Sequence, residues 1–96
     1  MILGKVVGSV WATQKETGMN NLKLLIVQPT DHLGQEAGQV IVAADRIGAG
    51  IGEKVIISRG SPAKTILGIQ QSPIDAVIVG IIDSMEVGVS SGGAKE

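Results

Sequence analysis

The sequence contains no cysteine, no phenylalanine and no tyrosine, and its only aromatic residue is Trp11. Without cysteine there is no disulfide framework and no thiolate to act as nucleophile or metal ligand. Such a chain suits a reducing compartment. With one aromatic, the stacking platforms that hold single-stranded nucleic acid are missing. An excess of either charge is missing too. Eight Lys and Arg stand against nine Asp and Glu, a net charge of −1, so no basic surface is set aside for nucleic acid or an anionic membrane. The one histidine, His32, cannot build a metal site alone, because such sites need several convergent ligands. No apolar run approaches the ~18 residues of a spanning helix. The opening Met1-Ile2-Leu3-Gly4-Lys5 lacks the charged start and long apolar core of a secretion signal. The expectation is a soluble, cytosolic protein with no membrane partner.

What is present is aliphatic. The chain has 96 residues, enough for one domain, and is 44% hydrophobic. Its core must be built from Val, Ile, Leu and Ala, a composition that suits strands. A domain this small buries little surface of its own, so its stability is marginal unless partners add burial.

Five segments read as strands: residues 2–12, 22–27, 40–44, 54–58 and 76–82. Gly4 and Gly8 inside the first mark bends or a close approach of backbone. Glu16-Thr17-Gly18-Met19-Asn20-Asn21 is turn chemistry, and Pro29 ends the second strand. Residues 30–39, with Asp31, Gly34 and Gly38, read as a polar loop. Ser61-Pro62 starts one short helix, with serine at the cap and proline in the first turn. The helix should end near Gly68. Pro73 and Asp75 lead into the last strand, and residues 84–96 form a tail. Short strands, tight turns and one helix predict an all-β chain, a five-stranded OB-like β-barrel. Strand order is not readable.

The stretch Asp45-Arg46-Ile47-Gly48-Ala49-Gly50-Ile51-Gly52-Glu53 concentrates glycine. If it were extended, Gly48, Gly50 and Gly52 would share one bare face. It fails as a nucleotide loop. The third glycine comes one position early for G-x-G-x-x-G, a strand follows instead of a helix, and no Gly-Lys-Ser/Thr closes it. The plain reading is a glycine-rich turn between strands.

No catalytic constellation assembles from the residues. His32 sits in a polar loop beside Asp31. Asp45, Asp75 and Asp83 flank strand ends, where aspartate is usually a turn or cap former. Ser61 has no G-x-S-x-G around it. No catalytic, metal or cofactor residue is therefore assigned. Strands two, four and five are apolar on both faces, whereas a barrel covers only the inward one. One short helix cannot cover three strands. Another copy of the chain is the simplest cover, so an obligate homo-oligomer is expected. The competing account folds loops and tail back over those faces.

Five segments in order carry a resemblance. They are Leu3-Gly4-Lys5-Val6-Val7-Gly8-Ser9-Val10-Trp11-Ala12-Thr13, Leu22-Lys23-Leu24-Leu25-Ile26-Val27-Gln28-Pro29, Ala44-Asp45-Arg46-Ile47-Gly48-Ala49-Gly50-Ile51-Gly52-Glu53, Gly60-Ser61-Pro62-Ala63-Lys64 and Asp75-Ala76-Val77-Ile78-Val79-Gly80-Ile81-Ile82-Asp83. Together they resemble the bacterial microcompartment vertex family, also called the EutN/CcmL family, over residues 1–83. Lys54 stands where that family often has tryptophan, and Pro62 and Lys64 where it has a small polar residue and an arginine. The resemblance implies a vertex domain at 1–83 and a tail at 84–96. It also implies a non-enzymatic homopentamer at the five-fold corners of a protein shell, with hexamer-forming shell proteins as partners. Gly48, Ala49, Gly50, Ile51, Gly52, Gly60 and Ser61 are then candidates for the subunit interface or five-fold axis. A single-stranded nucleic-acid-binding OB module is the alternative from another class, and an enzyme with an unrecognised site is a third.

Overall fold

The computed structural model describes residues 1–11, 23–67 and 75–83. Five strands and one helix follow the chain: β1 (Ile2–Val10), β2 (Lys23–Pro29), β3 (Ile41–Asp45), β4 (Lys54–Arg59), α1 (Ser61–Leu67) and β5 (Ala76–Ile81). All five strands and the helix expected from the sequence are present, with ends moved by one or two residues. The expected turn at 16–21, the helix end at Gly68, the lead-in at Pro73 and the tail at 84–96 lie outside the described residues.

The strands close a barrel in the order β1-β2-β3-β5-β4. Every pairing is antiparallel except β3 with β5, which is parallel and joins only Ala44 to Val77 and Asp45 to Ile78. β1 is the longest strand and pairs with both β2 and β4. It does so by bulging at Val7, where the register steps from Val6↔Val27 to Gly8↔Ile26. A bulge sharpens the local twist, as a strand serving two neighbours in a tight barrel requires.

Side chains alternate in and out along each strand. The inward set is Val6, Leu25, Val27, Ala43, Val55, Ile57, Ala76 and Ile78, and Ala49 from the β3–β4 loop joins it. These residues are aliphatic throughout, as the composition predicts. Trp11 takes no part: it is 91% exposed at the end of β1.

A second, smaller core lies outside the barrel wall. Leu24, Ala44 and Val77 point outward from three adjacent strands, and Ala63 of α1 packs on them, with Val10 and Val79 at the margin. The helix therefore covers more of the exterior than its seven residues suggested. Small alanines on both sides of this contact let helix and sheet lie close.

Gly4 is the point of closest approach inside the wall. A Cβ there would stand 2.5 Å from Val27 Cγ1 and 3.0 Å from the Gln28 carbonyl oxygen. Because the second neighbour is backbone, relief requires a strand shift. Gly4→Ala should destabilise the fold by about 1–3 kcal/mol, measured as a drop in the denaturant midpoint. Gly80→Ala is the matched control, since its added Cβ meets nothing nearer than Ile56 Cδ1 at 3.8 Å.

Candidate functional site

The glycine stretch forms the β3–β4 loop, and Asp45 organises it. The Asp45 side chain is fully buried. Its Oδ1 accepts the N–H groups of Ile47 at 3.0 Å and Gly48 at 3.1 Å, and its Oδ2 accepts that of Ala49 at 2.9 Å. Three charge-assisted bonds offset the cost of burying a carboxylate. Lys23 explains its own place in an otherwise apolar strand. Its Nζ donates to the Ala49 carbonyl at 3.3 Å and lies 3.7 Å from Asp45 Oδ2. That ammonium is largely exposed, so its main effect is to clip the loop to β2.

The rest of the loop is held as firmly. Gly50 N–H donates to Glu53 Oε1 at 2.6 Å, and Glu53 N–H to the Gly50 carbonyl at 3.1 Å. Gly52 N–H donates to the Val6 carbonyl, and Val6 N–H to the Glu53 carbonyl. The amides of Ile47, Gly48, Ala49, Gly50 and Gly52 are thus turned onto the chain's own acceptors. A phosphate-binding loop aims such amides outward, so this geometry agrees with the failure of the nucleotide motifs.

The three glycines have different reasons to be there. Gly48 and Gly52 have φ of 87° and 93°, where a side chain is strained. Gly50 is not in that region, and a Cβ on it would meet only Glu53 Oε1 at an ordinary 3.5 Å. The chain itself does not demand glycine at 50. The plain reading of a glycine-rich turn holds: the loop curls between β3 and β4, and the glycines do not line a common strand face.

The other candidates do not converge. Gly60 and Ser61 sit at the far end of β4 from Gly48, Ala49, Gly50, Ile51 and Gly52. A six-residue strand separates the two groups by roughly 20 Å. Ile51 is exposed at the loop tip, and Ala49 is buried. Gly60 N–H donates to the Asp75 carbonyl at 2.7 Å, which fixes the turn where α1 begins. Asp75 and Asp83 lie beyond opposite ends of β5, and Asp45 is committed to its loop. No group of three metal-ligating side chains occurs among the described residues.

His32 lies in the loop after β2, beside Asp31. Asp31 Oδ1 accepts the N–H groups of Leu33 at 2.8 Å and Gln35 at 2.9 Å. The Gln35 bond is the main cause that holds the Asp31 carboxyl below its ordinary pKa, with smaller help from Leu33 and His32 against some desolvation. The loop is further tied by Asp31 N–H to the Gln35 carbonyl and Ala37 N–H to the Pro29 carbonyl.

What sequence reasoning missed is the division of the outer surface. Beyond the part covered by α1, two apolar areas stand out among the described residues. One is on β2 and β3, where Val42 is exposed and Ile26 is partly so. The other is a cleft between α1, β5 and the start of the glycine loop, lined by Ile47, Ile66, Val77 and Val79. That several strands are apolar on both faces was readable, but not which outward positions the helix would cover.

A closed OB-like barrel with self-satisfied loops and open apolar outer faces is the make-up of an assembly subunit, a module that acts through its surfaces. The chain belongs to the EutN/CcmL family: the family profile described as "Ethanolamine utilisation protein EutN/carboxysome" matches residues 1–83. It is 46% identical over 87 residues to the carboxysome shell vertex protein CcmL of Gloeobacter violaceus, covering 91% of this chain and 87% of that protein. It is 39% identical to the microcompartment shell vertex protein EutN of Salmonella typhimurium over 92% of this chain and 89% of that one. Among solved structures, the GrpN pentameric microcompartment shell protein from Rhodospirillum rubrum superposes with a TM-score of 0.81 at 41% identity. That match covers 91% of this chain and 99% of GrpN.

Two outcomes follow from the loops. Asp45→Ala leaves three loop amides without their acceptor and should destabilise the protein by about 3 kcal/mol; Asp45→Asn, which keeps an acceptor oxygen, should cost less. Urea unfolding reads both. For Asp31 the folded pKa is depressed, so its hold on the loop is complete above the ordinary aspartate pKa. That hold is lost as pH falls through the lower folded value. The Leu33 and Gln35 amide resonances should therefore shift together in an acid NMR titration, with a midpoint below that of a free aspartate.

Proposed function

We propose that this protein is a structural shell subunit that assembles as a homopentamer and occupies the five-fold vertices of a bacterial microcompartment. The observation that carries this reading is its likeness over nearly the whole barrel to a pentameric shell protein. The open apolar areas on the barrel wall support it, because a chain of this size gains stability by burying them against copies of itself. Residues 1–83 form the assembling domain, and 84–96 a tail. The shell it joins lies in the bacterial cytoplasm. The protein carries out no reaction and takes no cofactor or metal; its work is geometric.

Its further partners are hexamer-forming shell proteins. Six-fold units tile flat, and a flat sheet cannot close without positions of lower symmetry. A pentamer supplies the curvature. Its rim meets hexamers through heterologous and mainly polar contacts, whereas its own subunits meet through apolar ones. The glycine loop, Gly48 to Gly52, and the Gly60–Ser61 turn are candidates for the subunit interface or axis. They lie at opposite ends of β4, so they do not form one patch within the subunit. Gly50 is the best candidate for close approach by a neighbour, since the chain itself gives no reason for glycine there. Nucleic acid is not a partner: one exposed tryptophan and a net charge of −1 provide neither stacking nor an electrostatic groove.

Native mass spectrometry at low micromolar concentration tests this directly. A five-chain species is expected; monomer or dimer alone defeats the reading. Gly50→Val should lower the pentamer fraction with little change in unfolding midpoint. In cells that keep the hexamers and carry no second vertex protein, deletion should give open sheets, tubes or elongated bodies. Normal closed polyhedra in that strain would also defeat it.

A further inference from the structure

β1 carries one lysine, β4 opens with another, and the register of the barrel sets the two face to face. Lys5 is the direct partner of Lys54 in the antiparallel β1–β4 ladder. Strand alternation sends both side chains outward. Their neighbours Gly4, Val6 and Val55 are buried, whereas Lys5 and Lys54 are exposed. Directly opposed side chains in such a ladder have Cβ atoms about 5 Å apart, and like charges placed so destabilise the pairing.

Among the described residues nothing relieves this charge. The ion pair they form is Lys23 with Asp45, and neither the Lys5 nor the Lys54 ammonium has a hydrogen-bond partner there. The carboxylates around the pair are engaged or stand off. Glu53 accepts the Gly50 N–H at 2.6 Å. Asp31 lines the same small recess as Lys54, but its Oδ1 accepts the N–H groups of Leu33 and Gln35. Asp83 follows Ile82, whose N–H donates to the Lys54 carbonyl at 2.8 Å, and it pairs with neither lysine. On the other flank of β1, Gln28 stands opposite Lys5. Its Nε2 donates to the Pro29 and Gly38 carbonyls, and a neutral amide supplies no counter-charge.

The surroundings of the pair are apolar. Leu3 and Ile56 form the next outward pair of the same ladder and are half-buried. Val7, in the bulge beyond Lys5, is 48% exposed. Two cations therefore stand on an open apolar wall. A small free anion is held poorly there, because exposed ion pairs are weak and screened by salt. A chain segment that sets carboxylates between apolar side chains matches both features of the wall, since its apolar contacts exclude water from the ion pairs. A second copy is a poor source of such a segment. Asp45 is buried, Asp31 and Glu53 serve their own loops, and Asp75 and Asp83 lie beyond opposite ends of β5. We propose that the Lys5–Lys54 pair, with Leu3, Ile56 and Val7 around it, is a docking face for an acidic segment of a different protein. Carboxylates bound there cancel the repulsion that the free barrel bears. The opposed lysines are then a local loss of stability that serves binding. This contact is additional to the assembly proposed above and does not depend on it.

The probe is a fluorescein-labelled synthetic peptide that alternates glutamate with leucine, followed by anisotropy as the full chain is added. The same peptide with lysine in place of glutamate is the control and should not bind. Lys5→Gln or Lys54→Gln should weaken binding of the acidic peptide about threefold, and the two together about tenfold. The double variant Lys5→Arg with Lys54→Arg keeps both charges and should retain binding. Salt at about 0.5 M should bring the wild type down to the level of the double glutamine variant. In the free protein Lys54→Gln should raise the urea midpoint, because it removes the repulsion. A double glutamine variant that binds as the wild type does overturns the inference, as does a wild type that does not bind or a Lys54→Gln midpoint at or below that of the wild type. Displacement of the peptide by inorganic phosphate, beyond the effect of sodium chloride at equal ionic strength, would make this a simple anion site and overturn it too. A double glutamine variant that is folded by circular dichroism but loses the wild-type assembly in native mass spectrometry would give the face to a second copy, with the same result. The pentameric reading stands or falls separately, on the mass of the wild-type assembly.

Discussion

The barrel closes through its weakest seam, and Asp45 holds that seam. β3 meets β5 through two residue pairs only, and Asp45 is a member of one of them. The same residue pairs with Lys23 on the opposite side. Its carboxylate then gathers the next turn of chain by three amide bonds. Backbone and side chain therefore do separate jobs at one position. The backbone joins β3 to both neighbours, and the side chain bends the loop so that Gly52 and Glu53 reach Val6 on β1. From there β4 is launched along β1 to complete the wall. Buried Ala49, the third residue held by the carboxylate, caps the core at that end.

A barrel built this way has limited means of covering itself. Its inner face is filled by β-branched and aliphatic side chains with no aromatic to add bulk. Its outer face also carries aliphatic side chains, among them Leu24, Ile26, Val42, Ala44 and Val77. The seven-residue helix shields only the row centred on Ala44 and Val77. Ile26, Val42, Ile47 and Ile66 are left with water as neighbour in the single chain. Strands patterned for burial on both faces are what made a second copy of the chain the simplest expected cover, before any comparison with relatives.

Much of this was legible in the sequence, and the limits have physical causes. The strands announced themselves because Val and Ile cluster between Pro29, the glycine stretch and Gly60. Ser61-Pro62 marked the helix start for the same local reason. Asp45 at a strand end read correctly as a turn former. Its three-amide grip was not readable, since that depends on a curl of the following loop that only the Val6 contacts define. The glycine stretch read correctly as a turn, but the form of its curl was not readable for a related reason. A two-residue period implies a shared face only in extended chain, and φ values of 87° at Gly48 and 93° at Gly52 break that extension. Strand order and the reach of α1 are long-range outcomes with no local signature, so the split of the exterior into covered and open rows was hidden. Trp11, the largest apolar side chain, lies outside the core, which shows that hydrophobic character alone does not assign a residue to the interior.

Among the described residues, the absence of assembled chemistry and the presence of exposed apolar faces go together. Three carboxylates of the described loops are engaged by the loops themselves: Asp31 by Leu33 and Gln35, Asp45 by its three amides, Glu53 by Gly50. Each such bond removes a group that could bind a ligand and converts it into loop rigidity. A catalytic site needs the opposite, polar groups left available to a substrate in a sheltered cleft. The cleft beside α1 is sheltered but apolar, with Arg46 already engaged by the Ile66 carbonyl. Rigid loops and apolar clefts do not select small polar molecules; they select a surface of matching shape.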